Sequence, residues 1–387
     1  MIIEKLKVKN YKSLEDVEIP LRPLTVFVGP NNSGKSNVFD CLEFVRDLAL
    51  MGSQAVGIRG GFQYLIWGGD LRRAIEIELQ GTVEDGEGRN RRFRYEVGAA
   101  GVLGSPAAYL LTREKFALYE DAVEWKLLER SDSRTIAWNE QDPSQQLLSW
   151  SGGEPRLGIS SFKGSPDPRN HTLASFAAAV GDWGFYRLVP TQMGSPGPAR
   201  REAYLAESGE NLASVLISIQ SEGRKVFGEL EAYLNAAVPE IEEFLMGFTE
   251  DSRAFFRWRE RGLPADFNVP SWNSSDGTRQ ILALLALRFA SKTRPLLCVE
   301  EPENFIHPGL MELVADLLKS MSSKTQVLLT THSPYLLNQL LPEDLLIVEK
   351  KGGRTQVRGL KEKKIREALK VLGLGELWYA GDIGGVP

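Results

Sequence analysis

A glycine-rich octapeptide near the amino terminus carries the clearest chemistry in this sequence. Residues 29–36 read GPNNSGKS and match the pattern G-x-x-x-x-G-K-[ST]. In this pattern glycines let backbone N–H groups surround an anion, and the start of the following helix adds partial positive charge. Lys35 is expected to reach the β- and γ-phosphates of ATP, and the Ser36 hydroxyl to bind Mg²⁺. The predicted ATP-binding residues are Gly29, Asn31, Asn32, Ser33, Gly34, Lys35, Ser36 and Asn37.

A group of acidic residues follows a short apolar run in the last third of the chain. Residues 298–308 read CVEEPENFIHP, and residues 296–299 are all apolar. In phosphate-loop NTPases a buried strand ends in an acid that holds Mg²⁺, usually through water. Glu300 occupies that position, and Glu301 is predicted to orient and polarise the water that attacks the γ-phosphate. A solvated acidic turn would explain neither the two adjacent glutamates, Glu300 and Glu301 (the doubled acid), nor the apolar residues before them.

A histidine follows the next apolar strand. Residues 330–334 read TTHSP, in which Ser333 can cap a helix and Pro334 can occupy its first position. His332 is therefore predicted to lie where a strand passes into a helix, on the catalytic edge of the sheet. A lone histidine is usually structural. Beside a phosphate loop and a doubled acid, we interpret it as a sensor of the γ-phosphate.

The composition is that of a soluble globular protein. Of 387 residues, 42% are hydrophobic and 25% are charged, and the net charge of −5 argues against an overall basic surface for nucleic acid. No signal-like apolar core begins the chain, and the apolar run at residues 281–287 is too short to cross a bilayer. We therefore expect a cytoplasmic protein, with no membrane partner and with Cys41 and Cys298 as free buried thiols.

The amino-terminal half must supply the strands and the helix that position the phosphate loop. Residues 2–8 and 17–21 alternate like antiparallel strands, and residues 24–28 form the continuous apolar run of a strand covered on both faces. The next helix has an apolar stripe at Val38, Leu42, Val45 and Ala49. Further predictions are a loop at residues 51–70, an antiparallel β lobe at 73–163 and a strand at 183–189.

The remainder of the chain alternates between helices and strands. Residues 207–246 are predicted to be helical, without the sustained heptads of a coiled-coil arm. Strand–helix–strand spacing in the last third indicates a parallel sheet with crossover helices. The predicted elements there are helices at 277–290, at 309–321 and near Tyr335, strands at 296–299 and 326–329, and a hairpin turning at Gly352-Gly353.

The motifs together resemble those of the ABC-type ATPases of the RecF, SMC and OLD group, in particular the standalone "AAA domain, RecF-like" ATPases. The resemblance spans essentially the whole chain and is densest at residues 1–45 and 270–350. It implies an α/β fold, that of a phosphate-loop ABC-type ATPase head, with a mixed sheet core, an antiparallel β lobe and a helical lobe. It also implies a composite domain made of residues 1–192 as ATP-binding lobe, 193–270 as helical lobe and 271–387 as carboxyl-terminal lobe.

The same resemblance implies a signature segment that contacts the nucleotide bound to an opposing subunit. Residues 273–280 read NSSDGTRQ, so that Ser275 and Gly277 take the Ser and second Gly of that signature. Asp276 stands where transporters have Gly, so that its contact with the γ-phosphate is left undecided. The segment also matches the N-cap of a helix. Asn304 and His307 fall in the D-loop, which crosses the dimer interface in relatives.

The resemblance also implies a glutamine that senses Mg²⁺. Gln192 is the candidate and Gln63 the weaker rival. Larger relatives carry a Toprim nuclease domain, for which the residues after the hairpin are too few, so that no nuclease activity is expected. The basic helix predicted at residues 361–372 is interpreted as a solvated face.

Four functions compete for this sequence. The leading hypothesis is an ATPase that dimerises around ATP and couples hydrolysis to DNA maintenance or phage defence, with DNA or an effector protein as partner. The alternatives are the nucleotide-binding subunit of a transporter and an ATP-gated interaction module with little turnover. A small-molecule phosphate-loop kinase is disfavoured by the doubled acid and the signature segment.

Overall fold

The computed structural model describes residues 1–120, 123–131, 134–151, 156–360 and 367–385. The chain divides into two compact units. The first unit contains Met1–Trp183, Leu345–Leu360 and residues 384–385, and the second contains Gly184–Asp344 and residues 367–383. The lobe boundaries inferred at residues 192 and 270 stay predictions.

An antiparallel sheet dominates the first unit and confirms the β lobe inferred from the alternating segments. In the order in which the strands pair, it contains β2 (Leu14–Pro20), β1 (Ile2–Tyr11), β4 (Ala74–Glu84), β5 (Asn90–Val102), β6 (Ser105–Glu120), β7 (Val123–Ser131), β8 (Arg134–Trp138) and β9 (Gln146–Ser151). Helix α3 (His171–Gly181) covers its apolar face. There the Phe176 ring lies 4.8–5.0 Å from the rings of Phe93, Tyr95 and Phe116.

Three further strands and a long helix of the first unit carry the phosphate loop. Strand β3 (Leu24–Val28) is buried throughout and pairs in parallel with β17 (Leu345–Lys351), which forms a hairpin with β18 (Arg354–Gly359). Helix α1 (Lys35–Met51) buries the predicted apolar stripe. Residues 51–70 are less irregular than predicted, because they contain helix α2 (Gln54–Gly57) and 3₁₀ turns at Phe62–Tyr64 and Trp67–Gly69.

A small parallel sheet forms the centre of the second unit, as the strand–helix spacing predicted. Strand β15 (Leu296–Glu300) pairs with β10 (Gly184–Tyr186) on one side and β16 (Gln326–Thr331) on the other. Strand β10 is shorter than the predicted segment 183–189. The remaining elements of this part are the helices α4 (Pro190–Met193), α7 (Asp276–Phe289), α8 (Met311–Ser322), α9 (Pro334–Leu337) and α10 (Leu374–Tyr379).

The predicted helical segment at residues 207–246 is only partly helical. Helices α5 (Leu212–Glu222) and α6 (Arg224–Ala237) confirm most of it, but residues 241–246 belong to strand β12 (Ile241–Phe248), and there the prediction was wrong. Strand β12 pairs with β13 (Arg253–Glu260), which also pairs with β11 (Gly197–Pro198) and β14 (Val269–Pro270). This stretch is therefore a mixture of helices and an antiparallel sheet.

Cys41 and Cys298 are free and buried, as predicted. Half of the predicted basic helix, residues 361–366, lies outside the described residues, and Ala368–Lys370 forms a 3₁₀ turn. Within the described part of the chain, none of the helices combines the length and the apolarity needed to cross a bilayer.

Candidate nucleotide site

The phosphate loop joins β3 to α1 in the first unit through two left-handed backbone conformations. Asn32 has a φ of 61° and Gly34 a φ of 106°, both in the left-handed region, where glycine is favoured. A Cβ atom on Gly34 would lie 2.1 Å from Thr355 Oγ1, and one on Gly29 would lie 2.0 Å from the carbonyl oxygen of Val348. Both motif glycines are therefore required by the close approach of the β17–β18 hairpin.

A buried chain of hydrogen bonds supports the loop from two distant segments. Asn37 Nδ2 donates to Ser13 Oγ (2.7 Å), and Thr355 Oγ1 donates to the carbonyl oxygen of Ser33 (2.8 Å). The hydroxyls of Ser13 and Thr355 are 2.7 Å apart. Because the Thr355 proton is already used, Ser13 must donate to Thr355. Sequence reasoning missed both residues, since neither belongs to the octapeptide.

The loop presents donors, as a phosphate-binding site requires. Lys35 is mostly buried, and its Nζ donates to the carbonyl oxygens of Gly29 (2.8 Å) and Pro30 (3.0 Å). Ser33 Oγ is buried and has no hydrogen-bond partner among the described residues. Lys350 Nζ lies 3.3 Å from Asn32 Oδ1. Two cations, an unused hydroxyl and the first N–H groups of α1 fit the phosphates of a nucleotide.

The doubled acid lies at the end of β15 in the second unit. Glu300 accepts a hydrogen bond from Arg187 Nε (3.1 Å). Glu301 has a φ of 46°, and its backbone N–H donates to the carbonyl oxygen of Thr330 (3.0 Å). A left-handed conformation is strained for a residue with a side chain, and such strain is concentrated at functional sites.

Glu301 and His332 are brought together, as the sequence suggested. Glu301 Oε1 lies 3.8 Å from His332 Nε2, and Glu301 Oε2 accepts a hydrogen bond from Asn304 Nδ2 (2.8 Å). Both side chains are about one-third exposed, at 39% for Glu301 and 30% for His332. They are therefore held in place and still accessible to a substrate.

Glu303 is a further acid in this segment, and sequence reasoning gave it no role. It is buried, and its Oε1 accepts hydrogen bonds from Thr331 Oγ1 (2.5 Å) and from the backbone N–H of His332 (3.1 Å). Burial raises the pKa of Glu303 above its ordinary value. Only its spacing of two residues from Glu301 could have drawn attention to it.

The predicted signature begins helix α7 and contacts the acidic segment. Ser275 is the N-cap, since its Oγ accepts from the Thr278 N–H (3.2 Å), and Asp276 pairs with Arg279 (2.7 Å). A Cβ atom on Gly277 would lie 2.6 Å from the carbonyl oxygen of Phe305. The D-loop residue His307 accepts from the Gly309 N–H (3.1 Å).

Comparison with known proteins agrees with these motifs. A family described as "AAA domain, putative AbiEii toxin, Type IV TA system" matches residues 150–338, and one described as "AAA ATPase domain" matches residues 1–55. The chain is 24% identical over 373 residues to an OLD nuclease of Thermus scotoductus, covering 90% of this chain and 62% of the relative. It is 21% identical over 397 residues to the Old nuclease of Escherichia phage P2, covering 95% and 62%.

A solved structure shows the same fold. The chain superimposes on an SMC head bound to the C-winged helix domain of ScpA with a TM-score of 0.57 and 17% identity, covering 94% of this chain and 99% of that one. The chain resembles the ATPases of the RecF, SMC and OLD group. The fold inferred from the sequence, an α/β ABC-type ATPase head, is confirmed, and a transporter subunit is not favoured.

The chain spans 62% of the length of each OLD relative, so that the activities of those whole proteins do not pass to it by similarity alone.

The two candidate magnesium-sensing glutamines of the chain lie in different units. Gln192 is exposed on α4 of the second unit, and Gln63 is half-buried in a 3₁₀ turn of the first. The assignment of Gln192 stays a prediction.

Proposed function

We propose that this ATPase binds ATP at residues 29–37 and hydrolyses it with Glu301 as general base and His332 as the residue that contacts the γ-phosphate. The observation that carries the proposal is the pair formed by Glu301 and His332 at the end of a buried parallel strand. A carboxylate fixed by an amide donor, with an imidazole 3.8 Å away, suits proton transfer beside an anion.

Binding begins with the cations and N–H groups of the phosphate loop. Lys35 exchanges its two carbonyl partners for oxygens of the β- and γ-phosphates, which bind a cation more strongly because they are charged. Ser36 and Glu300 are the candidate Mg²⁺ ligands, with Gln192 as the candidate sensor. When bound, Mg²⁺ offsets the phosphate charge and orients the γ-phosphate for in-line attack.

Hydrolysis follows from the acids of the second unit. Glu301 accepts a proton from the attacking water as the water oxygen bonds to the γ-phosphorus and the bond to the bridging oxygen of ADP breaks. His332 donates a hydrogen bond to a γ-phosphate oxygen, where negative charge is spread in the transition state. The proton then passes from Glu301 to the released phosphate, which returns the carboxylate to its starting state.

ATP is proposed to join two copies of the chain. Ser275, Asp276 and Gly277 of one copy contact the γ-phosphate bound by the other, and Asn304 and His307 lie at the interface between the copies. Asp276 Oδ1 lies 2.7 Å from Arg279 Nη2, and this ion pair reduces the negative charge presented to the phosphate. The relatives named nucleases and the SMC head bound to a partner protein support DNA or an effector protein as the target.

A phosphate-release assay tests the proposal. Glu301→Gln keeps the shape of the side chain and removes its basicity, so that turnover should fall about 100-fold or more while ATP binding persists. Glu312→Gln, which changes an exposed acid on α8, is the matched control and should hydrolyse ATP at the wild-type rate. Wild-type turnover in Glu301→Gln, or no turnover in the unmodified chain with Mg²⁺, would contradict the proposal.

A further inference from the structure

One buried carboxyl group holds the backbone on which His332 lies. Glu303 is 8% exposed, and its Oε1 accepts hydrogen bonds from two donors, the Thr331 hydroxyl (2.5 Å) and the His332 N–H (3.1 Å). Both donors belong to consecutive residues at the end of β16. The other oxygen, Oε2, is buried and has no hydrogen-bond partner among the described residues.

The contact continues into the start of the next helix. Thr331 Oγ1 uses its proton to reach Glu303 and accepts a hydrogen bond from the Ser333 N–H (3.0 Å). Ser333 Oγ in turn accepts from the Leu336 N–H (3.2 Å) and caps α9. The residues on both sides of His332 are therefore fixed to one another through the carboxyl group of Glu303.

Glu303 is itself held firmly by the segment that carries Glu301. Its carbonyl oxygen accepts from the Ile306 N–H (3.1 Å), and the neighbouring Pro302 carbonyl accepts from the buried Gln280 Nε2 (3.1 Å). An exposed acid could move with its solvent shell. A buried one whose main chain is anchored transmits its position to whatever it binds.

We propose that Glu303 is a positioning residue that keeps the His332 ring beside Glu301 without touching the nucleotide. An ordinary buried polar group would need only to satisfy its hydrogen bonds. Here the Thr331 hydroxyl and the His332 N–H, which both donate to Oε1, lie on the two-residue step that carries the histidine, and that histidine lies 3.8 Å from Glu301. The kinetic test of this inference rests on the proposed hydrolysis, whereas the spectroscopic test does not.

Two substitutions separate the hydrogen bonds from the volume of the side chain. Glu303→Leu removes the carboxylate oxygen that accepts from both the Thr331 hydroxyl and the His332 N–H, so that kcat should fall about 10- to 100-fold with KM for ATP within about twofold. Glu303→Gln keeps Oε1 as an acceptor and should recover most of the lost kcat. Thr331→Val, which removes one donor, should give an intermediate loss.

A spectroscopic measurement tests the positioning without turnover. The chain has three histidines, so that the ring signals of a histidine-labelled sample can be assigned by loss of one signal in His332→Gln. Glu303→Leu should shift or broaden the His332 signal, and Glu303→Gln should return it towards its original position. The control is Glu114→Gln, which changes another buried glutamate whose oxygens bind Tyr95, Gly158 and Ile159.

The outcomes distinguish this inference from the proposed function. A chain that lacks ATP turnover but shows the expected change at His332 supports the positioning role and contradicts the hydrolysis. If the unmodified chain turns over ATP and Glu303→Leu changes neither the His332 signal nor kcat, the positioning role alone is overturned. An equal effect of Glu114→Gln on the His332 signal, or no recovery in Glu303→Gln, also overturns it.

Discussion

Glu301 and His332 lie with Oε1 and Nε2 3.8 Å apart, although 31 positions separate them in the chain, and each follows a strand of the same parallel pair. The carboxyl ends of neighbouring parallel strands meet at one edge of a sheet, which is where α/β proteins place their ligands. The left-handed turn at Glu301 and the amide of Asn304 then set the direction of the carboxylate.

Replacing Lys35 should weaken ATP binding. Lys35→Ala removes a charged donor whose hydrogen bonds to phosphate are worth about 1.5–3 kcal/mol, or roughly a 10- to 100-fold change in Kd. Titration with a fluorescent ATP analogue measures the change. Lys351→Ala, which alters an exposed lysine of the hairpin, is the control and should bind normally. Unchanged affinity in Lys35→Ala would contradict the assignment of the phosphate loop.

Blocking hydrolysis should trap the proposed dimer. Glu301→Gln should accumulate as a dimer with bound ATP, because hydrolysis is the step that opens it. Gel filtration with and without ATP measures this. Ser275→Arg should prevent closure of the dimer, because it places bulk and charge where the γ-phosphate must dock. When Ser275→Arg and Lys35→Ala chains are mixed, a mixed dimer should have at most one functional ATP site out of two. A monomeric Glu301→Gln with ATP bound would rule out the trans-acting signature.

The hydrogen bonds behind the phosphate loop should contribute to both stability and affinity. Thr355→Val keeps the shape but removes the hydroxyl that joins Ser13 to the Ser33 carbonyl, at a cost of about 1–3 kcal/mol for the partners left unpaired. Urea unfolding and ATP titration measure the two effects. Thr355→Ser retains the hydroxyl and should remain close to the original chain. Equal losses in both variants would assign the effect to packing.

The buried Glu114 should make stability depend on pH. Burial raises its pKa above the ordinary value of 4.5, so that the group binds its proton more tightly in the folded protein than in the unfolded chain. Its stabilising contribution is complete below the unfolded-state pKa and is lost as pH rises through the folded-state pKa. Urea unfolding from about pH 4 to 8 should therefore show Glu114→Gln gaining stability relative to the original chain as pH rises. A pH-independent difference, or one that falls, would contradict this.

DNA binding by the proposed dimer should need ATP and low salt. The net charge is −5, so that only a local basic surface completed by dimerisation could attract phosphates. Fluorescence anisotropy with duplex and single-stranded DNA, at several salt concentrations and with or without ATP, tests this. Equal affinity in both nucleotide states, or no binding in either, would count against DNA as the partner.

The sequence determined the chemistry of the candidate site because that chemistry depends on short spacings. The octapeptide at 29–36, the doubled acid at 300–301 and the histidine of TTHSP each lie within one strand-to-helix turn. Residues in such a turn lie close to one another in space whatever the fold of the rest of the chain. The mostly apolar runs of β3, β15 and β16 were equally local, because a strand covered on both faces is mostly apolar along its length.

Local patterns failed where pairing decided the structure. Residues 241–248 bury Ile241, Phe244 and Gly247, a spacing of three that is typical of a helix. The segment is a strand because it pairs with β13, and an irregularity between Ile241 and Glu243 shifts the alternation of its side chains.

Only the tertiary structure brought together the residues that support the site. Ser13 and Thr355 are 342 positions apart and still share a hydrogen bond behind the phosphate loop. Glu303 receives its role from Thr331 and His332, which reach it from the neighbouring strand. A hydroxyl or a carboxyl group has no pattern in sequence that reveals its partner, because the partner is fixed by burial, where most polar groups are hydrogen-bonded.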